Sequence, residues 1–353
     1  MNGTCIKAEQ FGNGHINDTY LIQILQADHN VKPYILQRIN DNVFTNPKEV
    51  MENILAVTSY LRKKIVERGG NPDREAMSVI PTNNGDACFF DETGSCYRVY
   101  VFIENAISLD QVEKADDLYE SGVAFGDFQY LLSDFPADTL HVTIPGFHDT
   151  KLRFARLIKA VEADLCNRAI LVKKEIEFLI KREEVACVLG NMLEAKELQY
   201  KVTHNDTKLN NVMIDRISGK GLCVIDLDTI MPGLAVHDFG DAIRFGASTG
   251  AEDEVNLDKI HCDLSLFEAY TKGFIKGCNN SLTQNELAML PTGAKVMTYE
   301  TGMRFLTDYL EGDTYFKIHR EGHNLDRCRT QLKLIGDMEL KWEQMHKIVE
   351  RYA

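Results

Sequence analysis

The order of apolar and polar residues predicts a strand-rich first part of the chain, up to about residue 105. Residues 19–25 and 31–39 have the composition of short strands, and three further strand-like segments follow between residues 78 and 105. Apolar side chains recur every three or four positions over residues 46–68, which places them on one face of a helix. An Asn-Pro pair at the start of this segment is typical of a helix N-terminus.

From about residue 106, helical periodicity dominates. The predicted helices cover residues 110–134, 151–174, 176–198, 258–277, 283–310 and 326–351, with a strand–turn–strand segment at 212–227. This order predicts an α+β protein with two lobes, a small β-rich N-terminal lobe (residues 1–105) and a large helical C-terminal lobe (residues 106–353). A ligand is expected in the cleft between the lobes.

The composition narrows the classes of function. The formal charge of −14 disfavours a nucleic-acid partner, which needs a basic surface. The nine cysteines are scattered without a CxxC pair, which favours reduced thiols in a cytoplasmic protein. The chain has no apolar run of about 18 residues, so no transmembrane helix is expected, and its N-terminus lacks the pattern of a secretory signal. We therefore expect a cytoplasmic protein that neither binds a membrane nor needs an obligate protein partner.

The stretch VTHNDTKLNNVMIDRISGKGLCVIDLDT, residues 202–229, carries the candidate chemistry. Asp206 and Asn211 have the D-x4-N spacing of a kinase catalytic loop, in which the aspartate orients the acceptor hydroxyl and the asparagine ligates Mg²⁺. Asp226 ends an apolar strand, and Asp228 follows it closely. Hard oxygen ligands without clustered His or Cys favour Mg²⁺, so Asn211, Asp226 and Asp228 are the candidate metal ligands. The alternative is that these are ordinary turn residues between short strands.

A Gly-rich turn near the N-terminus resembles a phosphate-binding loop. It precedes a strand rather than a helix, which is the kinase arrangement and not the dinucleotide or Walker arrangement. Its candidate ATP contacts are Gly12, Gly14, His15 and Asn17, where Asn17 takes the place of a third glycine. A lone G-x-G pair is also common in simple turns, so the prediction depends on the strand that follows.

Further candidate ATP contacts lie outside this loop. Arg38 ends the strand on which a kinase carries its phosphate-binding lysine, and a guanidinium can hold two phosphate oxygens. Glu49 or Glu52, both on the following helix, is the expected partner of Arg38, and Glu52 is preferred. Residues 97–105 are expected to form the hinge between the lobes and to offer backbone groups to adenine, with Phe102 and Glu104 as candidate contacts. The alternative for Arg38 and Glu52 is that both are ordinary surface charges.

Two segments, THNDTKLNNVMID and CVIDLDTIMPGLAVHDFGDAIRF, resemble the aminoglycoside phosphotransferase and choline kinase superfamily, which has a protein-kinase-like fold. Further stretches along nearly the whole chain, including FGNGHINDTYLI, YRVYVFIEN and TGMRFLTDYLEGDTYFK, are similar to the bacterial N-acetylhexosamine 1-kinases of that superfamily. The resemblance implies transfer of the ATP γ-phosphate to the anomeric hydroxyl of a small-molecule sugar substrate. The departures are Asn205, in place of a small glycine, and Arg38, in place of a lysine.

A hexosamine pocket needs fixed polar groups and an aromatic wall. The segment 304–316 offers both, and its candidate substrate contacts are Arg304, Asp308, Tyr309 and Tyr315. Phe147, His148 and Asp149 are a second candidate wall, although Asp149, before a predicted helix, could equally be its N-cap. The alternative for the segment 304–316 is a helix end with ordinary surface charges. Residues 237–241, HDFGD, are expected to brace the catalytic loop rather than to contact the substrate.

Other functions of the same fold stay open at this point. The acceptor could be choline, homoserine, methylthioribose or an aminoglycoside, although a choline site needs an aromatic cage and an aminoglycoside site needs a strongly acidic cleft. No activation loop is bounded by a D-F-G segment together with an A-P-E segment, which disfavours a protein kinase. The remaining alternative is a non-catalytic binding protein of kinase fold, and the joint presence of Asp206, Asn211 and Asp226 speaks against it.

Overall fold

The structure of the protein is a computed structural model that describes residues 3–12 and 16–353. Its N-terminal part is a five-stranded antiparallel sheet in the order β1-β2-β3-β5-β4, accompanied by two helices. The strands are β1 (Thr4–Gln10), β2 (Asp18–Leu25), β3 (Val31–Arg38), β4 (Phe89–Phe90) and β5 (Cys96–Val101). The helices are α1 (Pro47–Glu67) and the short α2 (Pro72–Glu75). Strands β2 and β3 and helix α1 lie where they were predicted. Strand β1 was not predicted, and the first of the three segments predicted between residues 78 and 105 forms only an isolated bridge, from Val79 to Tyr100.

Helix α1 begins where the sequence predicts it. The Asn46 side chain accepts a hydrogen bond from the backbone N–H of Glu49, and Pro47 occupies the first turn. The predicted apolar stripe from Val50 to Ile65 is buried in the main hydrophobic core. Burial of this stripe fixes the rotation of the helix about its own axis, because the opposite face is polar.

Helix α1 is also tied to the C-terminal part of the chain. The side-chain amide of Asn53 donates hydrogen bonds to the backbone carbonyls of His141 and Ile230, both at 2.9 Å. Ile230 lies two residues after Asp228 in sequence. The helix therefore fixes the N-terminal sheet region next to the segment that carries the candidate metal ligands.

The C-terminal part combines helices with two small antiparallel sheets. The helices are α3 (Ala115–Leu131), α4 (Thr150–Ala163), α5 (Lys173–Ile180), α6 (Glu183–Glu194), α7 (Ala235–Gly246), α8 (Leu264–Cys278), α9 (Gln284–Leu310), α10 (His323–Leu340) and α11 (Trp342–Tyr352). One sheet joins β6 (Ala106–Ile107), β8 (Val212–Asp215) and β9 (Gly221–Val224), and the other joins β7 (Lys201–Thr203) and β10 (Met231–Gly233). None of the described helices is long and apolar enough to cross a membrane.

The antiparallel N-terminal sheet and the helical remainder confirm the predicted α+β fold, while three predicted helices differ in detail. The predicted helix 151–174 ends at Ala163, because Asp164 adopts the left-handed conformation at φ 37° and ψ 48°. The predicted helices 176–198 and 326–351 are each divided in two. The periodicity of apolar residues does not reveal these breaks, because the apolar face continues from one helix to the next. The proposed boundary at residues 105 and 106 falls between β5 and β6 and stays a prediction.

Helices α7 and α9 touch backbone to backbone. A Cβ atom on Gly240 would lie 2.3 Å from the carbonyl oxygen of Gly293, and one on Gly293 would lie 2.2 Å from the carbonyl oxygen of Val236. Neither oxygen can move away without shifting a whole helix, so this approach requires glycine. The contact matters for function because α7 holds the catalytic loop, as described below.

We expect Gly240→Ala to lower the free energy of unfolding by about 1–3 kcal/mol, because it overpacks this contact. Urea unfolding followed by circular dichroism measures the change. The matched control is Gly190→Ala in α6, since no atom lies within 4 Å of the Cβ position there. That variant should be as stable as the wild type or slightly more stable, because alanine favours a helix over glycine. Equal stability of the two variants would contradict the close approach of α7 and α9.

Candidate active site

Helix α7 holds the candidate catalytic loop, which follows strand β7. The Asp238 carboxylate accepts the backbone N–H groups of His204 and Asn205 at 2.9 and 2.8 Å. Asp241 accepts the backbone N–H of Thr207 at 3.1 Å. Burial raises the pKa of Asp238, and the two N–H groups oppose this shift by stabilising its charge. These bonds give the segment 237–241 the bracing position that the sequence predicts.

Asp206 and Asn211 meet at the end of this loop. The Asn211 side-chain nitrogen lies 2.8 Å from the backbone carbonyl of Asp206 and 3.2 Å from its carboxylate. The other carboxylate oxygen of Asp206 contacts the Lys208 ammonium at 2.7 Å. Burial opposes the charge on Lys208, but Asp206 and Asp241 raise its pKa above the usual value. A fixed cation, which the predicted motif does not include, therefore accompanies the catalytic candidate.

Asp226 ends the strand segment β9 in the left-handed conformation, with φ 60° and ψ 59°. The His204 ring atom Nε2 bonds to the carbonyl oxygen of Ile225 at 2.8 Å, which joins this strand end to the catalytic loop. Burial raises the pKa of Asp226 to about 7, and the charges of Asp228 and Asp206 add to the effect. Carboxylates that repel one another in a buried setting favour a divalent cation between or beside them.

The described residues fit a metal held jointly with a nucleotide. Within residues 3–12 and 16–353, no three His, Cys, Asp or Glu side chains form a ready-made metal centre. Asp226 and the Asn211 amide oxygen would supply the protein ligands, because the Asn211 nitrogen is already engaged by Asp206. Mg²⁺ commonly takes its remaining ligands from substrate phosphates and water, which suits so small a set of protein oxygens.

Arg98 is a buried cation of the site that the sequence analysis missed. It lies on β5, its side chain is 1% exposed, and its Nη1 contacts Asp228 Oδ1 at 2.5 Å. Its Nε donates to Gln37 Oε1 on β3 at 3.0 Å. The second oxygen of Asp228 accepts a hydrogen bond from the Asn17 side chain at 2.6 Å. Asp228, predicted as a metal ligand, thus contacts the N-terminal part with both carboxylate oxygens, through an ion pair at Oδ1 and a hydrogen bond at Oδ2.

Arg38 and Glu52 do not form the predicted pair, and this prediction is corrected. The Arg38 side chain is 48% exposed and pairs with Asp18 at 3.5 Å. Glu52 bonds instead to the His141 ring at 2.8 Å. Successive side chains of a strand point to opposite faces of the sheet. Since Gln37 points to the buried face, Arg38 points away from it.

The predicted phosphate loop is described only at its two ends. Gly14 and His15 lie outside the described residues. Gly12 has a φ of +76°, in the left-handed region that glycine adopts readily. The Asn17 side-chain oxygen accepts the backbone N–H of Asn40 at 3.0 Å, which fixes this end of the loop to the segment after β3.

Phe102 and Glu104 lie between β5 and β6, where the hinge is predicted. The Phe102 ring meets the Phe11 ring edge-on, with centroids 5.9 Å apart, so it lies beside the start of the phosphate loop. The backbone carbonyl of Glu104 accepts a hydrogen bond from Arg74 at 3.1 Å. Contact of these two residues with adenine stays a prediction.

Arg304 lies in a recess with aromatic walls. Its guanidinium carbon is 5.8 Å from the ring centroids of both Phe147 and Tyr315, and 5.4 Å from that of Phe316. Arg153 lines the same recess. Burial lowers the pKa of Arg153, and the charge of Arg304 lowers it further. The recess, called the Arg304 recess below, is therefore aromatic and positively charged.

The other candidate substrate residues make structural contacts. Asp149 caps helix α4 by accepting a backbone N–H of its first turn at 2.8 Å. Asp308 is buried, and its carboxylate accepts the backbone N–H groups of residues 314–316 at 2.8 to 2.9 Å. The Tyr309 ring is mostly buried and lies 4.5 Å from the Arg168 guanidinium. These contacts shape the surroundings of the recess, and direct contact with a substrate stays a prediction.

A buried His–Glu pair, of which only Glu300 was missed by the sequence analysis, links the Arg304 recess to the catalytic loop. His148 follows Phe147 and bonds through Nδ1 to Glu300 at 2.8 Å, while its Nε2 is 3.4 Å from the carbonyl oxygen of Asn205. Thr150 donates to the second Glu300 oxygen at 2.7 Å. Burial opposes the charge of Glu300, but His148 lowers its pKa to about 2. Glu300 is thus held by hydrogen bonds from two side chains, those of His148 and Thr150.

Comparison with known proteins places this site in a family. The chain matches the phosphotransferase enzyme family, APH, over residues 7–270. A microcompartment-associated aminopropanol kinase is similar in structure, with 15% identity, a TM-score of 0.59, and 96% of this chain and 93% of that chain covered. An aminoglycoside phosphotransferase from Alicyclobacillus acidocaldarius has 11% identity, a TM-score of 0.65, and 97% and 92% coverage. A choline kinase from Cryptosporidium parvum has 11% identity, a TM-score of 0.58, and 98% and 92% coverage.

Identities this low establish a shared kinase-like fold and nothing about the acceptor. The family match is more specific, because it covers more than half of the chain and includes Asp206, Asn211 and Asp226. The chain therefore belongs to the phosphotransferase enzyme family.

Proposed function

We propose that the protein is an ATP-dependent kinase that phosphorylates the anomeric hydroxyl of an N-acetylated hexosamine, giving the sugar 1-phosphate. The observation that supports this acceptor is the Arg304 recess, which adjoins the catalytic loop through His148. Aromatic walls suit the apolar faces of a sugar ring, and guanidinium groups suit its hydroxyls and an acetamide carbonyl. N-acetylglucosamine and N-acetylgalactosamine meet both requirements.

The charge of the recess argues against cationic acceptors. Choline and aminoglycosides carry positive charge and would meet Arg153 and Arg304. The two carboxylates that line the recess are already engaged, Asp308 by backbone N–H groups and Glu311 by two nitrogens of Arg156, Nε and Nη2. Without an available carboxylate among the described lining residues, a cation would pay a desolvation cost with no compensating partner.

The proposed mechanism uses the chain's own groups mainly for positioning. Asp206 orients the anomeric hydroxyl and takes its proton as the oxygen attacks the γ-phosphorus and ADP leaves. Lys208, beside Asp206, is placed to stabilise negative charge that develops on the transferred group. Asn211 and Asp226 would hold Mg²⁺, which neutralises the phosphates of ATP when both are bound.

Phosphorus NMR of the purified protein with Mg–ATP and a panel of acceptors tests the proposal. The panel holds N-acetylglucosamine, N-acetylgalactosamine, glucose, galactose, choline and homoserine, and Asp206→Asn is the inactive control. An anomeric phosphate resonance from the N-acetylated sugars, absent with the control, is the expected result. Turnover of another acceptor alone would overturn the sugar assignment, and Mg–ATP binding without any turnover would favour a non-catalytic binding protein.

Substitution of Arg304 tests the recess itself. We expect Arg304→Ala to raise the KM for the N-acetylated sugar by about 10–100-fold, the value of one or two hydrogen bonds to a charged donor. The KM for ATP should stay unchanged. Arg156→Ala is the control, because Arg156 lines the same recess but is bound to Glu311. An unchanged KM for the sugar in Arg304→Ala would place the acceptor elsewhere. A rise of equal size in both variants would indicate general damage to the recess rather than loss of an Arg304 contact.

A further inference from the structure

Strands β3 and β5 lie side by side, and Gln37 stands opposite Arg98 in their antiparallel register. Arg98 Nε donates to Gln37 Oε1 at 3.0 Å, and Arg98 Nη1 lies 3.8 Å from the Met51 sulfur on α1. Both side chains therefore point to the face of the sheet that is turned towards α1. On β3 this face carries an uncharged amide at the end of the strand, and the positive charge comes from β5.

Arg98 keeps a donor group for another ligand. Hydrogen bonds and contacts from residues 3–12 and 16–353 engage its Nε and Nη1, and leave Nη2 for another acceptor. The guanidinium pairs with Asp228 at 2.5 Å, and the charge of Asp226 also acts on it. Arg98 thus lies beside Asp228 and near Asp226, the carboxylate that would hold the metal, where the phosphates of a nucleotide must also lie.

Asp226 and Asp228 have different surroundings. Asp228 contacts Arg98 with one oxygen and Asn17 with the other, at 2.5 and 2.6 Å. Among the described residues, none donates a hydrogen bond to the Asp226 carboxylate, whose raised pKa reflects burial and neighbouring negative charge. Asp228 is thus tied to two residues of the N-terminal part, whereas the Asp226 carboxylate is left for a metal.

We propose that Arg98 is the fixed cation that binds the nucleotide phosphates, and that Asp228 is a positioning residue that holds Arg98 and Asn17 rather than a metal ligand. This assignment replaces the predicted phosphate contact of Arg38. It rests on the ATP-dependent activity proposed above but not on the identity of the acceptor. A chain of net charge −14 needs such a cation to bind a polyphosphate. Burying an ion pair costs desolvation energy, and a role at a functional site accounts for its presence.

Isothermal titration with Mg–ATP and with adenosine tests the role of Arg98. We expect Arg98→Met to weaken Mg–ATP binding by about 10–100-fold, as expected for loss of charge-assisted hydrogen bonds, and to leave adenosine binding unchanged. Arg38→Met, which removes the exposed cation of β3, is the matched control and should bind both ligands normally. Unchanged Mg–ATP binding in Arg98→Met, or an equal loss for adenosine, would overturn the assignment.

A double variant separates phosphate binding from simple structural support. Arg98→Met leaves the Asp228 charge buried without its partner, which destabilises the fold. Adding Asp228→Asn removes that charge, so the unfolding midpoint should return towards the wild-type value while Mg–ATP affinity stays reduced. If affinity recovers together with stability, the ion pair is only structural and the proposal fails.

The Mg²⁺ requirement of ATP binding tests the role of Asp228. We expect Asp228→Asn to leave the half-saturating Mg²⁺ concentration unchanged, and Asp226→Asn to raise it by more than about tenfold. Equal increases in the two variants would make Asp228 a metal ligand and overturn its assigned role. All of these measurements are of binding or stability, so they stay decisive if the acceptor is not a hexosamine.

Discussion

Replacement of Asp206 by alanine is expected to reduce phosphoryl transfer by about 10²–10⁴-fold, the contribution typical of a positioned acid or base. Lys208 at 2.7 Å and Asn211 at 3.2 Å fix the Asp206 carboxylate before an acceptor arrives. Alanine removes the group that orients the hydroxyl and takes its proton, and leaves Asn211 and Asp226 in place. The measurement is kcat at saturating Mg–ATP and acceptor.

Mg–ATP binding should survive the same substitution, to within about twofold of the wild type, because the lost interaction belongs to the transition state. Binding could even tighten, since the Asp206 charge is one cause of the raised Asp226 pKa. Asp206→Asn keeps the shape of the side chain and should be equally inactive. Wild-type turnover in either variant would contradict the catalytic role, and joint loss of binding and turnover would indicate a damaged loop instead.

The catalytic loop could be predicted from sequence because local chain geometry brings its residues together. A short 3₁₀ helix, Leu209–Asn211, turns the chain so that the Asn211 amide reaches Asp206. The hairpin of β8 and β9 then returns the chain to the same place and delivers Asp226. Few long-range contacts have to be known for this part of the site, so spacing along the chain is informative.

Arg98, the buried cation of the site, could not be predicted from the spacing of residues along the chain in the same way. The sequence analysis assigned it to Arg38, and a difference of one position along β3 reverses the face of the sheet. Strand β5 did carry a signal, since Cys96, Arg98 and Tyr100 occupy alternate positions of one face, and all three are buried. A charged residue on an otherwise buried face needs a buried partner. The partner, Asp228, is brought there only by the packing of the two parts of the chain.

The acceptor side was the least predictable part of the site. His148 and Glu300 bond to each other although 152 residues separate them, so no local motif contains both. Asp149 and Asp308 were predicted as substrate contacts because they are carboxylates near aromatic residues. Each instead accepts hydrogen bonds from backbone N–H groups, which is the commoner use of a polar side chain at a helix end or turn. Arg304 differs because its guanidinium faces aromatic rings in an open recess.

Replacement of Asp226 by asparagine is expected to abolish transfer and to weaken Mg–ATP binding by more than about tenfold, the smallest loss typical even of residues that only support metal ligands. Its pKa of about 7 also predicts a pH dependence. A metal must displace the proton, so Mg²⁺ affinity of the wild type should fall as pH decreases below about 7. Asparagine cannot titrate, so the variant should show only the pH dependence of ATP itself. Parallel titration curves for the two proteins would exclude Asp226 as the ligand.

In the metal-free protein, the raised pKa of Asp226 should make the folding stability depend on pH. Because burial raises the Asp226 pKa from 3.8 to about 7, the protonated carboxyl favours the folded state. Its contribution to stability is complete below pH 3.8, is lost as pH rises towards 7, and stays lost above it. Asparagine resembles the protonated acid, so metal-free Asp226→Asn should be more stable than the metal-free wild type at neutral pH. Thermal unfolding of both proteins across this range, without and with Mg–ATP, measures the difference. Identical slopes would show that Asp226 ionises as an ordinary carboxylate, whereas recovery of wild-type stability on Mg–ATP binding is expected if the bound metal compensates the buried charge.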